Sequence, residues 1–171
     1  MRKRILERLA ALYDRPVIQN NLRRLYVEFL VGELLGRDRK TVGSDWMSWD
    51  LEGSNGERVE VKQSAAKQTW PRKGNKASTP GFNIAPKAGY WSTASDWVEE
   101  PGRPAELYIF CWHPVAGDHA DHREAEQWRF FVVPSNDLPD QQSIGLGPLR
   151  KRVPDVGASE LPSAVARALE G

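Results

Sequence analysis

The chain has 171 residues, 40 % hydrophobic and 27 % charged, a length that suits one domain with a real core and a balance that argues against disorder. Its formal net charge of +1 leaves no global bias toward a polyanion, so any such attraction must come from local basic clusters. The single cysteine, Cys111, excludes an internal disulfide and sits in the apolar run Leu107-Tyr108-Ile109-Phe110-Cys111-Trp112, where it reads as a small buried hydrophobe.

The basic start Met1-Arg2-Lys3-Arg4-Ile5 is not followed by the apolar core of a signal peptide. No stretch approaches the roughly 20 apolar residues of a membrane span. A cytoplasmic protein without a membrane partner is the expectation. Residues 3–13 are expected to form an amphipathic helix with Ile5, Leu6, Leu9 and Leu12 on one side, interrupted at Asp14-Arg15-Pro16. A stronger helix is predicted from about Gln19 to Leu35. Leu22, Leu25, Tyr26, Phe29, Leu30, Leu34 and Leu35 give it a wide apolar surface suited to packing on a sheet, and Gly36 is a natural stop.

After a polar turn, Trp46-Met47-Ser48-Trp49-Asp50-Leu51 reads as a strand, Asn55-Gly56 as a tight turn, and Arg58-Val59-Glu60-Val61-Lys62-Gln63-Ser64 as a second strand with the period of two. The pair should form an antiparallel hairpin. The stretch Pro71 to Pro80 reads as a basic loop. Phe82-Asn83-Ile84 is a short strand candidate, Leu107–Trp112 a central strand, and residues 113–126 a polar, acidic insertion loop. Trp128–Pro134 is a further strand, and Ser159–Leu169 a final helix with Leu161, Val165 and Leu169 at helical spacing. With no internal repeat and no second core visible, residues 1–171 read as one α/β domain.

The chemistry centres on the hairpin. With the turn near Asn55, Asp50 and Glu60 lie opposite each other, and opposed residues point to one face with Cβ atoms about 4.5–5.5 Å apart. Lys62, two residues beyond Glu60, shares that face, while Val59 and Val61 point to the other, toward a core. Glu-x-Lys alone is a common pattern of solvated charges. Asp50 across the turn is what distinguishes it here. Two carboxylates so placed repel unless a cation sits between them. A hard divalent ion, Mg²⁺ or Mn²⁺, suits such oxygen ligands, and the carbonyl of Val61 is a candidate further ligand. Such an ion polarises a phosphoryl oxygen and lowers the pKa of water, and Lys62 beside it can steady an attacking water or offset charge on phosphorus. Glu28 lies on the helical stripe of Leu25, Gly32 and Leu35, where a carboxylate is costly unless paired or metal-bound; Glu33 competes with it for the role.

Asp50, Glu60-Val61-Lys62 and a preceding helix bearing Glu28 together resemble the PD-(D/E)xK nuclease superfamily. Trp49-Asp50-Leu51, Glu60-Val61-Lys62-Gln63-Ser64-Ala65, Gln68-Thr69-Trp70 and Gln127-Trp128-Arg129-Phe130 are similar to a poorly characterised bacterial group within it. The likeness spans about Asn21 to Leu149, with Trp49 standing where the motif's proline would precede Asp50. It implies a restriction-endonuclease-like fold, a mixed sheet flanked by helices. It also implies Asp50 and Glu60 as metal ligands, Lys62 as catalytic and Glu28 as an auxiliary acid. It implies no particular substrate.

Gln63, Gln68 and Trp70 are candidate contacts to nucleic acid, as are Arg72, Lys73 and Lys76 of the basic loop; a structural role is the alternative for the glutamines and a merely solvated loop for the cations. Arg2, Lys3, Arg4, Arg8, Arg23 and Arg24 form a second basic cluster. Of the seven tryptophans most are expected in the core, Trp70 excepted. His113, His119 and His122 raise zinc as a question, but a solvated acidic loop is the simpler account. The expected activity is metal-dependent phosphodiester hydrolysis, with DNA the preferred substrate and a homodimer left open. The alternative is an inactive module of the same fold that binds nucleic acid or a protein partner.

Overall fold

The apolar run at Leu107–His113 forms β7, and every one of its residues is buried. In the computed structural model, which describes residues 1–36, 39–42, 47–70, 79–93 and 95–170, β7 is an inner strand of a five-stranded mixed sheet. Strands β1 (Lys40–Thr41), β2 (Leu51–Glu52) and β3 (Arg58–Ala65) form an antiparallel meander. β3 then pairs with β7 in parallel, and β7 pairs antiparallel with β8 (Arg129–Pro134). The sheet order is therefore β1-β2-β3-β7-β8.

The strand period sorts side chains onto two faces. Val59, Val61, Leu107, Ile109, Cys111, Phe130 and Val132 face helices α2 (Asn20–Leu35) and α4 (Leu161–Glu170), meeting Val27, Val31, Leu161 and Val165. Each such burial contributes on the order of 1.5–3 kcal/mol. Tyr108, Phe110, Trp112, Phe131 and Val133 line the opposite face, against Trp49, Phe82, Ile84, Ile144 and Leu149. That second layer comes from β4 (Gly81–Asn83) paired with β9 (Ser143–Gly145), followed by the short helix α3 (Leu146–Arg150). A separate hairpin, β5 (Tyr90–Trp91) and β6 (Trp97–Val98), stands outside the main sheet. The chain is thus an α/β protein whose mixed sheet is flanked by helices. No helix among the described residues is long and apolar enough to cross a membrane.

Several expectations need correction. Helix α1 (Arg2–Tyr13) forms, but it buries no residue, and Ile5, Leu6, Leu9 and Leu12 are all exposed. Helix α2 packs through Val27, Val31 and Gly32, so Phe29 points outward. Strand β2 begins only at Leu51, with Trp49 and Asp50 in a bend before it and Trp46 outside the described residues. Trp49, Trp112 and Trp128 are core residues, whereas Trp91 and Trp97 join Trp70 at the surface.

The insertion at residues 113–126 is not simply a solvated acidic loop. It folds back so that His122 is fully buried, with its ring 4.8 Å from that of His113 and Trp128 packed 5.0 Å from His113. The Trp128 Nε1 donates to the His122 carbonyl at 2.9 Å, and the Ile18 amide donates to His122 Nδ1 at 3.0 Å. That second bond requires the proton of a neutral His122 ring to sit on Nε2. His113 Nε2 faces the Asp121 carbonyl at 3.1 Å and so carries its own proton, leaving a lone pair on Nδ1. Two neutral imidazoles are locked together by neighbours that accept only one tautomer of each.

Candidate active site

The turn that joins β2 to β3 sets the register. Gly56 takes a positive φ of 84°, open to glycine at no steric cost, while the Gly53 amide donates to the Glu57 carbonyl at 2.9 Å. Leu51 then pairs with Val59 and Glu52 with Arg58, and Asp50, one residue further out in a bend, lies close enough to Glu60 to feel its charge. The Asp50 amide still donates to the Val59 carbonyl at 3.0 Å, but β2 ends there and leaves the edge of β3 open beyond it. Asp50 Oδ2 takes the place of a strand carbonyl by accepting the Val61 amide at 2.8 Å. The N–H and C=O of one strand residue point the same way, so the Val61 carbonyl is directed to this same open edge.

Asp50 and Glu60 are both buried, and Lys62 Nζ donates to Glu60 Oε1. From α2, Glu28 reaches the group with only 1 % of its surface exposed, while Glu33 stays in solvent. Arg24, one helical turn before Glu28, donates through Nε to Glu28 Oε1 at 2.6 Å and holds Nη2 3.6 Å from Asp50 Oδ1. Glu28 Oε2 is buried without a hydrogen-bond partner among the described residues. Burial, then the charges of Glu60 and Glu28, push Asp50 up to about 7. Among the described residues three carboxylates thus share two contacting cations, Arg24 and Lys62, and the raised Asp50 relieves the excess negative charge by taking up a proton below about pH 7.

These groups open into a cavity of about 550 Å³. Besides Arg24 and Lys62 it is lined by Lys87 and by the amides of Asn20, Asn21, Gln63 and Asn83. Lys87 Nζ is anchored on the Ser48 carbonyl at 3.0 Å. Sequence reasoning placed Arg24 in a surface cluster and missed Lys87 and the asparagines altogether. The four-residue spacing of Arg24 and Glu28 was a readable signal, because residues so spaced touch on a helix.

Gln63 and Gln68 turn toward Arg23 instead of solvent. Arg23 Nε donates to Gln63 Oε1 at 2.7 Å, and its Nη2 to Asn20 Oδ1 at 2.7 Å and Gln68 Oε1 at 3.1 Å. Arg23, expected in the basic surface cluster, is fully buried, and burial lowers its pKa to about 10. Gln63 nevertheless lines the cavity, and Gln68 does not. Trp70 is exposed, and Arg72, Lys73 and Lys76 lie outside the described residues. Cys111 is fully buried, and burial raises its thiol well above the ordinary value, so it takes no part.

Among the described residues no three acidic, histidine or cysteine side chains make a ready cage for a metal. The donor set nonetheless fits a hard cation that keeps water and substrate in its shell, since two carboxylates and one carbonyl suffice for that. The Glu28 oxygen without a partner among the described residues, and Asp50 raised by burial and by two nearby carboxylates, also fit such a cation. No family model, curated protein or solved structure matches the chain.

Proposed function

We propose that this protein is a divalent-metal-dependent nuclease of the PD-(D/E)xK superfamily, with the restriction-endonuclease-like fold, that hydrolyses phosphodiester bonds in nucleic acid, DNA in the first instance. The observation that carries the proposal is the gathering of Asp50, Glu60 and Lys62 on one cavity, with Asp50 driven up to about 7 by burial and then by the charges of Glu60 and Glu28.

Asp50, Glu60 and the Val61 carbonyl would hold Mg²⁺ or Mn²⁺. The ion would supply Lewis-acid polarisation of a phosphoryl oxygen and a lowered pKa for water. Lys62, kept in place by Glu60, would present its ammonium to the attacking water and to the charge that builds on the phosphoryl oxygens. Glu28 would hold Arg24 over the site, where its guanidinium can meet a phosphate in two-pronged fashion. Lys87, which also lines the cavity, would add a second phosphate contact, and Asn20, Asn21 and Asn83 can donate to phosphate or base edges. A cavity of about 550 Å³ is of the size that takes a small ligand, and one nucleotide unit is of that order.

The test is incubation of the purified protein with linear, supercoiled and single-stranded DNA and with RNA, each with Mg²⁺, Mn²⁺ or EDTA. Cleavage that requires the metal is expected. Binding without cleavage under every metal would favour the inactive module of the same fold.

A further inference from the structure

Trp91 and Trp97 stand together on the β5–β6 hairpin, exposed by 38 % and 49 %, with ring centroids 5.3 Å apart at 65°. Large aromatic side chains leave water wherever they can, and this pair has not. The hairpin is fastened to the wall of the candidate active site. The Trp91 amide donates to Ser48 Oγ at 3.1 Å, and Lys87, just before the hairpin, holds the Ser48 carbonyl at 3.0 Å. Ser48 and Lys87 both line the cavity. Behind the pair, Tyr90 packs on Trp49 with centroids 6.0 Å apart, and Arg58 lies 5.2 Å from the Trp49 ring, so the platform has a stiff base.

We infer that Trp91 and Trp97 form a stacking platform for unpaired bases, which directs the proposed nuclease toward single-stranded nucleic acid. The inference rests on the nuclease reading only for the cutting; the binding stands by itself. Charge separates the two parts of the footprint. Arg24, Lys62 and Lys87 gather at the cavity, whereas the hairpin and its exit carry Asp96, Glu99 and Glu100, which repel phosphate. Arg58 and Arg103 lie at the base of the hairpin, beside Tyr90 and Glu100. Near Asp96, Glu99 and Glu100 a polyanion is therefore favoured to touch the tryptophans through its bases, and bases offer a face for stacking only where they are unpaired. A single strand whose phosphates meet the cationic cavity while neighbouring bases lie on the tryptophans satisfies both halves.

The test is anisotropy of a labelled oligothymidine, the matching oligouridine and a DNA duplex in EDTA, where nothing is cut. The doubly substituted Trp91→Ala/Trp97→Ala protein should lose about tenfold or more of its preference for single strands over duplex. Its salt slope on single strands should stay at the wild-type value, because no phosphate contact is removed. A single strand with abasic sites should bind the wild type as weakly as the intact strand binds the double variant. Trp97 packs against Gly89, so Trp97→Ala can loosen the hairpin. Trp97→Leu and Trp97→Phe control for that, since both keep apolar bulk and only Phe can stack. Affinity restored by Phe and not by Leu supports the platform.

An unchanged preference in the double variant, or equal recovery with Leu and Phe, overturns it. So does a native dimer that dissociates in the double variant, which would make the pair a contact between copies of the chain. Single-strand binding that depends on the tryptophans, with no cleavage under any metal, would sink the nuclease and keep the platform. Metal-dependent cleavage indifferent to both tryptophans would do the reverse.

Discussion

Asp50, in the bend just before β2, accepts the Val61 amide through Oδ2 at 2.8 Å, and Val61 is the residue that follows Glu60 on β3. The bond fixes one carboxylate oxygen and leaves Oδ1 turned to the site, 3.6 Å from Arg24. One side chain thereby ends the β2–β3 pairing and opens the edge where the chemistry is proposed.

Lys62→Ala should lower the cleavage rate by about 10²–10⁴-fold while metal and nucleic acid still bind, because Lys62 is placed to act on the transition state. Asp50→Ala and Glu60→Ala should also abolish cleavage, but by weakening metal binding, so that excess Mn²⁺ restores part of it. Calorimetric metal titration beside a cleavage assay separates the two behaviours. Undiminished cleavage by Lys62→Ala would move the active site elsewhere.

Metal affinity should fall about tenfold per pH unit below pH 7, because the ion must displace a proton from Asp50, whose pKa is about 7. Titrations at pH 6 in buffers of different ionisation enthalpy should report close to one proton released. For folding the sign is the reverse of the usual carboxylate. Between about pH 4 and pH 7 the folded, metal-free protein keeps a proton that the unfolded chain has lost, so its stability falls as pH rises through that window. Asp50→Asn should therefore raise the metal-free Tm at pH 8 and remove stabilisation by Mg²⁺.

Arg24→Gln should tighten metal binding in the absence of substrate, because it removes a cation that competes for Glu28 and Asp50. The same change should raise KM for nucleic acid. Arg24 is largely solvent-exposed but its partner Glu28 is buried, so the metal-free fold should lose about 1–3 kcal/mol, less what the glutamine amide restores. A variant with weaker metal binding would show that Arg24 positions Glu28 instead of competing for it.

The buried imidazole pair should make the protein acid-labile. Burial, with Arg23 and His113 nearby, depresses His122 to about 3. The unfolded chain binds a proton near pH 6.5 that the folded chain refuses, so this contribution is complete above pH 6.5 and is lost as pH falls toward 3. Asp50 acts in the opposite direction over much of the same range. The His122 effect is therefore cleanest in an Asp50→Asn background, as a urea midpoint that drops between pH 7 and pH 5. His122→Phe in that background should flatten the pH dependence, and an unchanged slope would show that His122 is not the group responsible.

Strand alternation and the Asn55-Gly56 turn are local properties, and they lead one to expect Asp50, Glu60 and Lys62 together; the three line one cavity, though Asp50 does so from a bend and not from a strand. Glu28 was legible for a related reason, since helical periodicity marks a carboxylate on a buried stripe. Tertiary structure decided what periodicity does not encode. Arg23 and Arg24 are neighbours on one helix, yet one is sealed in the interior by Gln63 and Gln68 and the other caps the carboxylates. Ile18 and His122 meet across 104 positions, and that contact buries His122 within a loop of polar composition that stays largely exposed. The exposure of Trp91 and Trp97 belongs to the same class, because a side chain's burial depends on which distant segment comes to cover it. Local backbone geometry is written in consecutive residues; the assignment of each surface to core, site or solvent is settled only when remote segments pack.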